Sequence, residues 1–184
     1  MSHALAYDPW PPVWDEAAVA ALPEDGHRYE IYDGALLVSP PANWDHQGVE
    51  FTVAVALHQA APPGWRVLTD LGIDCGDNKL VPDVAVVRAG ASKHNKQYGP
   101  ARDVALVVEV ESPSTRMNDR NAKLASYAQA GIESYWRVER TSAGWVVVVY
   151  QLADDSYQQL HRLEPGRSAT LTAPYLLEFV NDLD

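Results

Sequence analysis

The chain has 184 residues, 47% of them hydrophobic, and a formal net charge of −11 from 14 basic and 25 acidic side chains. A chain of this length and composition folds and buries roughly 70% of its unfolded surface, which excludes intrinsic disorder. The single cysteine, Cys75, excludes an internal disulfide, and no Cys or His spacing is typical of zinc sites. The negative charge argues against tight, non-specific binding of nucleic acid, which depends on Lys and Arg contacts with phosphate.

Neither targeting nor membrane insertion is indicated. The first eight residues lack the basic and apolar segments of a signal peptide. The longest clean apolar run, 145–150, is far shorter than the ~20 residues that cross a bilayer. We therefore expect a cytoplasmic protein with no membrane partner.

The predicted elements begin with an N-terminal arm and a short helix within residues 1–26. Prolines favour an extended arm, and Asp15 can cap the short helix that follows. Strands are then expected at 28–31 and 35–38, because Asp33-Gly34 between them favours a type I′ hairpin turn.

A longer helix follows, from a cap at Asn43 to about residue 61, with an apolar stripe at helical spacing. A polar loop is expected at 89–102 and a second helix at about 118–130, before Gly131. The remaining predicted strands are 65–69, 71–75, 79–88, 103–111, 135–140, 145–152 and 156–162. The order predicts an α/β (α+β) fold, with a mixed central β-sheet flanked by helices, in one domain spanning 1–184.

The most informative residues are carboxylates in valine-rich strands. Side chains alternate along a strand, so Glu109 and Glu111 share one face. If the strand that Asp83 opens is a neighbour, Asp83 and Glu109 approach within a few ångströms. Two carboxylates 4 Å apart repel by about 4 kcal/mol at an effective dielectric of 20, and Mg²⁺ or Mn²⁺ between them reverses that repulsion. The alternative is an exposed strand end where water solvates both groups, or where one is protonated.

Phosphodiester hydrolysis also needs a cation near the phosphate. The position two residues after Glu109 would suit a lysine, but Glu111 occupies it. Lys123 can supply the charge instead, and it shares a helical face with Tyr127. The alternative for Lys123 is an ordinary solvated surface lysine.

Several spaced motifs together resemble the Uma-two family of restriction endonucleases, within the PD-(D/E)XK nuclease superfamily. The resemblance runs from about residue 27 to 140 and more loosely beyond. The motifs are Tyr29 to Gly34, Ser39-Pro40-Pro41, His46-Gln47, Pro82-Asp83, Val107 to Thr115 without Glu111, Asp119-Arg120 with Lys123, Tyr127, Ala130-Gly131-Ile132 and Tyr135-Trp136.

The resemblance implies a restriction-endonuclease-like core over 27–140, followed by C-terminal strands over 141–184. It also implies a Mg²⁺-dependent site in which Asp83, Glu109 and the Val110 carbonyl bind the metal. Lys123 would be the catalytic lysine, moved onto the next helix. Glu30 would bind metal or water, or hold Lys123.

Four further residues carry open alternatives. Glu111 departs from the family pattern and is either an added metal ligand or a weakening of phosphate approach. His46, Tyr127 and Arg120 are candidates for contact with the substrate. For His46 the alternative is a helix-start histidine bonded to backbone, and for Tyr127 it is a packed ring.

Two functions compete. The first is a Mg²⁺- or Mn²⁺-dependent endonuclease that acts on nucleic acid, with DNA preferred. The second is a non-catalytic module of the same fold that binds a protein or nucleic-acid partner, which the net charge and Glu111 favour. Trp10, Trp14 and the apolar C-terminal strands suggest a homodimer interface, unless the aromatic side chains cover the core of their own chain.

Overall fold

The computed structural model describes residues 13–91, 97–111 and 122–183. Their helices are α1 (Glu16–Ala20), α2 (Trp44–Ala60) and α3 (Leu124–Gln129). Their strands are β1 (Arg28–Tyr32), β2 (Ala35–Ser39), β3 (Arg66–Thr69), β4 (Gly72–Cys75), β5 (Asn78–Leu80), β6 (Val84–Val87), β7 (Tyr98–Pro100), β8 (Val104–Val110), β9 (Ser134–Thr141), β10 (Gly144–Ala153), β11 (Ser156–Leu163), β12 (Ser168–Leu171) and β13 (Leu177–Val180).

Local sequence signals account for the first elements. The Asp15 carboxylate accepts the Ala18 N–H at 2.8 Å and begins α1. Asp33 and Gly34 both have positive φ, 49° and 71°, as a type I′ turn between β1 and β2 requires. The Asn43 side chain accepts the His46 N–H at 2.9 Å and begins α2. These three predictions are confirmed.

The strands form two larger sheets and one small one. The six-stranded sheet has the order β11-β10-β9-β8-β6-β3, and it is mixed because β8 and β9 are parallel. The five-stranded sheet has the order β2-β1-β5-β4-β7, and β12 pairs with β13 separately. The prediction of a mixed sheet with helices against it is confirmed, although the described strands divide into more than one sheet.

Two predicted segments differ from the structure. The strand expected at 79–88 is two strands, because β5 ends at Leu80, β6 begins at Val84 and the two belong to different sheets. Pro82 lies between them and cannot donate a ladder hydrogen bond. The loop expected at 89–102 contains β7, which pairs with β4 in parallel, and a short 3-10 turn at Ala101–Asp103.

The core lies on both faces of the six-stranded sheet. On one face, α2 packs its buried Val49, Val53 and Leu57 against valines of β6 and β8. On the other face, Tyr127 of α3 packs with Val107 and with residues of β4 and β5. Strand β8 is buried along its whole length, so any charged side chain that it carries lies inside the molecule.

The remaining predictions concern Trp10, Trp14, Arg120 and insertion into a membrane. Trp10 and Arg120 lie outside the described residues. Trp14 is half-buried, and its backbone N–H donates to the Gly34 carbonyl. Within the described part of the chain, no helix has the length and apolar character needed to span a membrane.

Candidate active site

Asp83 and Glu109 lie opposite each other at one end of the β6–β8 pair. The antiparallel register pairs Val84 with Val108. Asp83 comes directly before Val84 and Glu109 directly after Val108, so the two acids occupy the next paired positions. Asp83 is 1% exposed and Glu109 is 2% exposed. Neither carboxylate is therefore at a solvated strand end. Because α2 and α3 cover the two faces of the sheet here, each carboxylate meets its own set of partners.

The Asp83 carboxylate is held by a guanidinium, an imidazole and one backbone amide. Its Oδ1 accepts Arg28 Nη1 at 2.7 Å, and its Oδ2 accepts the Val110 N–H at 2.6 Å. His46 Nε2 lies 3.5 Å from Oδ2. Burial by itself would raise the pKa of Asp83, but its contacts with His46, Arg28 and the backbone outweigh burial and lower the pKa to about 2. Asp83 is therefore an anion at neutral pH.

Arg28 was not identified from the sequence. It lies on β1 two residues before Glu30, so both side chains leave the same face of the strand. Its second terminal nitrogen pairs with Asp70, and its guanidinium therefore bridges Asp70 and Asp83. The spacing from Glu30 is the one sequence signal that could have indicated Arg28. The partners of Arg28 lie far along the chain and give no local signal.

The Glu109 carboxylate is held by Lys123 and Tyr127. Lys123 Nζ lies 3.3 Å and 3.4 Å from the two Glu109 oxygens, and 2.9 Å from Oε2 of Glu30. Tyr127 donates its hydroxyl to Oε1 of Glu109 at 2.8 Å. The other Glu30 oxygen accepts the Val81 N–H at 2.7 Å. The predicted residues Glu30, Glu109, Lys123 and Tyr127 are thus brought together.

Burial decides two of the open alternatives here. Lys123 is 4% exposed, so it is not a solvated surface lysine. The Tyr127 ring packs in the core while its hydroxyl contacts Glu109, so both descriptions of this residue hold. Burial, followed by the nearby charges of Glu109 and Glu30, raises the pKa of Tyr127 well above its usual value. Tyr127 therefore remains a hydrogen-bond donor to Glu109.

His46 lies in the first turn of α2, and its ring nitrogens face different partners. Nε2 lies 3.0 Å from the Val110 carbonyl, which can only accept, so Nε2 carries a hydrogen. Nδ1 is buried without a hydrogen-bond partner, and the nearest acid is Oε2 of Glu50 at 3.8 Å. Burial lowers the pKa of His46, but its contacts with Asp83 and Val110 raise it, and the net shift is upward. His46 therefore approaches the predicted metal ligands directly.

Glu50 also belongs to this region but was not identified from the sequence. Burial, followed by the charges of Asp83 and Asp70, raises the pKa of Glu50 to about 7. Glu50 lines a surface cavity of about 340 Å³. The other lining residues are Gly26, His27, Arg28, Pro40, Pro41, Ala42, Gln47, Asp70 and Val81.

Glu111 meets a different cation. Its buried carboxylate lies 3.3 Å from Arg137 Nε, and its own N–H donates to the Val138 carbonyl of β9. Arg137 also pairs with Glu139, which in turn pairs with Arg162. Glu111 thus contacts a chain of ion pairs on β9 and β11.

The comparisons with known proteins concern the fold and the family of the chain. The fold is similar to the crystal structure of a "putative nuclease belonging to DUF820" from Anabaena variabilis, with a TM-score of 0.67 and 17% sequence identity. The similarity covers 85% of this chain and 88% of that one. No curated protein sequence matches the chain. The model of the Uma2 (Uma-two) family, described as "Putative restriction endonuclease", matches residues 16–181, and the chain therefore belongs to this family.

Proposed function

We propose that the chain is a Mg²⁺- or Mn²⁺-dependent endonuclease that hydrolyses phosphodiester bonds of DNA. The observation that carries this proposal is the buried, opposed pair of Asp83 and Glu109, with Lys123 against the second carboxylate. Carboxylates in a strand core need cations, and a site that combines two of them with a lysine suits metal-assisted phosphoryl chemistry. Family membership supports the same class of reaction.

The donor set fits a hard divalent cation. Asp83, Glu109 and the Val110 carbonyl offer the oxygen ligands that Mg²⁺ and Mn²⁺ prefer. Two of these groups already converge on one point, because His46 Nε2 lies 3.0 Å from the Val110 carbonyl and 3.5 Å from Asp83 Oδ2. A metal held by these oxygens would supply Lewis-acid stabilisation of phosphate charge and would lower the pKa of a nearby water.

The protein groups have separable roles in the proposal. Lys123, between Glu30 and Glu109, steadies the charge that develops on the phosphate and orients the attacking water. Tyr127 holds the Glu109 carboxylate in place through its hydroxyl. Arg28 compensates the charge of Asp83 and keeps it oriented. We propose that Glu111 anchors Arg137 instead of binding metal, since Arg137 lies against its carboxylate.

The second candidate is a non-catalytic module that binds a partner. The formal net charge of −11 favours it, because phosphate binding draws on basic residues. Five Lys, Arg or His residues from the central third of the sequence lie outside the described ranges: Lys93, His94, Lys96, Arg116 and Arg120. The charge of the described surface therefore does not decide between the two candidate functions. Arg120 stays a proposed substrate contact. A homodimer also stays a prediction, which light scattering can measure.

Cleavage assays separate the two candidates. Supercoiled plasmid, single-stranded DNA and structured RNA would be incubated with the parent, Asp83→Asn and Glu109→Gln in Mg²⁺ or Mn²⁺. Glu178→Gln, an exposed acid on β13, is the matched control. We expect metal-dependent cleavage of DNA by the parent and the control, and none by the other two. Full activity of either site variant would overturn the assignment, and an inactive parent that still binds DNA would favour the module.

A further inference from the structure

We propose that the exposed side of α2 is an interface for a second copy of this chain, with the two α2 helices antiparallel about a two-fold axis at Phe51. Trp44 and Phe51 are 91% and 69% exposed. They are seven residues apart, which is close to two helical turns, so both side chains lie on one side of the helix. Gly48 and the partly buried Val55 lie on the same side. These four residues form the outer stripe of α2.

The outer stripe lies on the opposite side of α2 from the core. Val49, Val53 and Leu57 are buried on the inner side, against the six-stranded sheet. Phe51 is two residues from both Val49 and Val53, and two residues turn an α-helix by about 200°, so its ring points away from that sheet. A helix that is apolar on two opposite sides is typical of a position between two packing partners. We therefore expect a second partner on the outer side, where the exposed apolar surface marks an interaction site.

The charges of α2 restrict the kind of partner. The helix has no Lys or Arg, and its exposed ionisable side chains are Asp45 in the first turn and His58 in the last. Nucleic-acid binding draws on basic contacts with phosphate, so an uncharged stripe is a poor surface for it. A chain with a formal net charge of −11 repels its own copy, and a contact surface free of charge keeps that repulsion smallest. The outer stripe meets this condition.

The spacing of the outer stripe is self-complementary in an antiparallel pair. With Phe51 on the two-fold axis, Trp44 of each copy lies opposite His58 of the other, because both are seven residues from Phe51. Gly48 then lies opposite Ala54, and the space beside Gly48 is open, so the two helices can approach closely. The antiparallel alignment also places the positive end of each helix dipole beside the negative end of the other. A contact of this kind closes on itself, so it gives a dimer and not a filament.

Apolar surface continues beyond the end of the helix. The hydroxyl of Tyr175 donates to the Leu57 carbonyl in the last turn of α2, and the next residue, Leu176, is 71% exposed. Leu176 therefore adjoins the end of α2 at which the antiparallel pair places Trp44 of the second copy. Aromatic side chains bury about 150–250 Å² each, so Trp44 and Phe51 supply roughly half of the ~800 Å² that a stable interface takes from each partner. The rest of the helix, about 25 Å long, and Leu176 extend this surface.

The test uses the full chain and depends on the two-fold axis. Phe51→Lys and Phe51→Asp each place like charges opposite each other, so sedimentation equilibrium over a dilution series should show a dimer for the parent and at least about a 30-fold weaker association for each variant. An equimolar mixture of the two variants should associate more tightly than either alone, because lysine then faces aspartate. Leu160→Lys on β11 also charges an exposed apolar side chain, so it is the control and should stay dimeric.

Three results would overturn the inference. The first is a parent that is monomeric over the whole dilution series. The second is a dimer that both Phe51 variants retain, which would place the interface elsewhere on the molecule. The third is a dimer that both variants lose and that their mixture does not restore, which would exclude Phe51 from a two-fold axis. Circular dichroism checks the fold of each variant, and Trp44→Ser, at the end of the outer stripe, should weaken the dimer without adding a charge.

The interface and the proposed nuclease site are independent of each other. The outer stripe faces away from the sheet that carries Asp83 and Glu109, and each copy contains both acids with their partners. A dimeric parent that cleaves no nucleic acid would overturn only the nuclease. A monomeric parent that cleaves DNA would overturn only the interface, and weaker DNA binding by its Phe51→Asp variant would then assign the outer stripe to nucleic acid.

Discussion

The two carboxylates at the end of the β6–β8 pair are held in opposite ways, although they face each other across one pair of strands. The Glu109 centre, formed by Glu30, Glu109, Lys123 and Tyr127, is almost completely buried. The Asp83 centre, formed by Arg28, His46, Glu50 and Asp83, has one buried acid surrounded by partly exposed groups and borders a cavity.

The two centres differ in their access to solvent because their charged groups have different partners. In the Glu109 centre a lysine lies between two carboxylates and a tyrosine donates to one of them, so the carboxylates share one buried cation and the partners are fixed. In the Asp83 centre the compensation comes partly from a titratable imidazole. The Asp83 centre is therefore the side of the site that is open to solvent, and the Glu109 centre is the closed side.

The largest expected effect is a loss of stability in the Glu109 centre. Lys123→Met would leave Glu30 and Glu109 buried without their shared cation, so we expect a loss of about 3–5 kcal/mol in the free energy of unfolding. Urea denaturation of the parent and the variant measures it. Lys123→Arg, which keeps the charge, is the control and should lose much less. Equal stability of Lys123→Met and the parent would contradict the description of this centre as charge-paired.

The next prediction concerns the pH dependence of the free energy of unfolding in the Asp83 centre. The pKa of Asp83 falls from its usual 3.8 to about 2 on folding. A lowered pKa contributes stability above pH 3.8 that is lost as the pH falls toward 2. We expect Asp83→Asn to cost on the order of 2 kcal/mol at pH 7, with the difference from the parent narrowing between pH 4 and 2. Chemical denaturation across this range checks it, and a difference that stays constant with pH would contradict it.

A smaller effect concerns the hydroxyl of Tyr127. Tyr127→Phe keeps the packed ring but removes one hydrogen bond to the Glu109 carboxylate, so we expect a loss of about 1.5 kcal/mol. Thermal unfolding measures the change. Tyr157→Phe removes a hydroxyl bonded to a neutral carbonyl, that of Ile132, and should cost less. An unchanged melting temperature in Tyr127→Phe would show that Glu109 does not depend on the Tyr127 hydroxyl.

The smallest effect has the opposite sign. Folding raises the pKa of Glu50 from 4.5 to about 7, so the stability tied to this group is present below pH 4.5 and lost as the pH rises through 7. With a chelator present, we expect Glu50→Gln to melt at a higher temperature than the parent at pH 8 and at about the same temperature at pH 4. Calorimetric scans at both pH values check it. A Glu50→Gln variant that melts at a lower temperature than the parent at pH 8 would contradict it.

Sequence reasoning was most successful where the signal is local. The Asp33-Gly34 turn and the Asn43 cap follow from bonds within a few residues, and the structure has both. The alternation along β8 also holds, with Val107 and Glu109 toward Tyr127 and Val108 toward α2. The residues Asp83, Glu109 and Lys123 could be named because charges among valines and a motif match are visible in the chain itself.

The partners of those residues could not be named. Arg28 bonds Asp83 across 55 positions, and His46 reaches the Val110 carbonyl across 64. Periodicity says which face a side chain occupies, but not which strand or helix lies opposite that face. Glu50 was missed for the same reason, since nothing near it in sequence indicates that Asp83 and Asp70 raise its pKa.

The sequence by itself determined the class of fold, the turns and caps, and the positions of the acidic residues, because each rests on local backbone preference or on two- and four-residue spacing. Tertiary structure alone decided that the chain crosses between two sheets at Val81 to Asp83. It also decided that Lys123 serves Glu109 while Arg28 and His46 serve Asp83. The physical reason is that charge pairing depends on distance through space, which the order of strands and the packing of helices set.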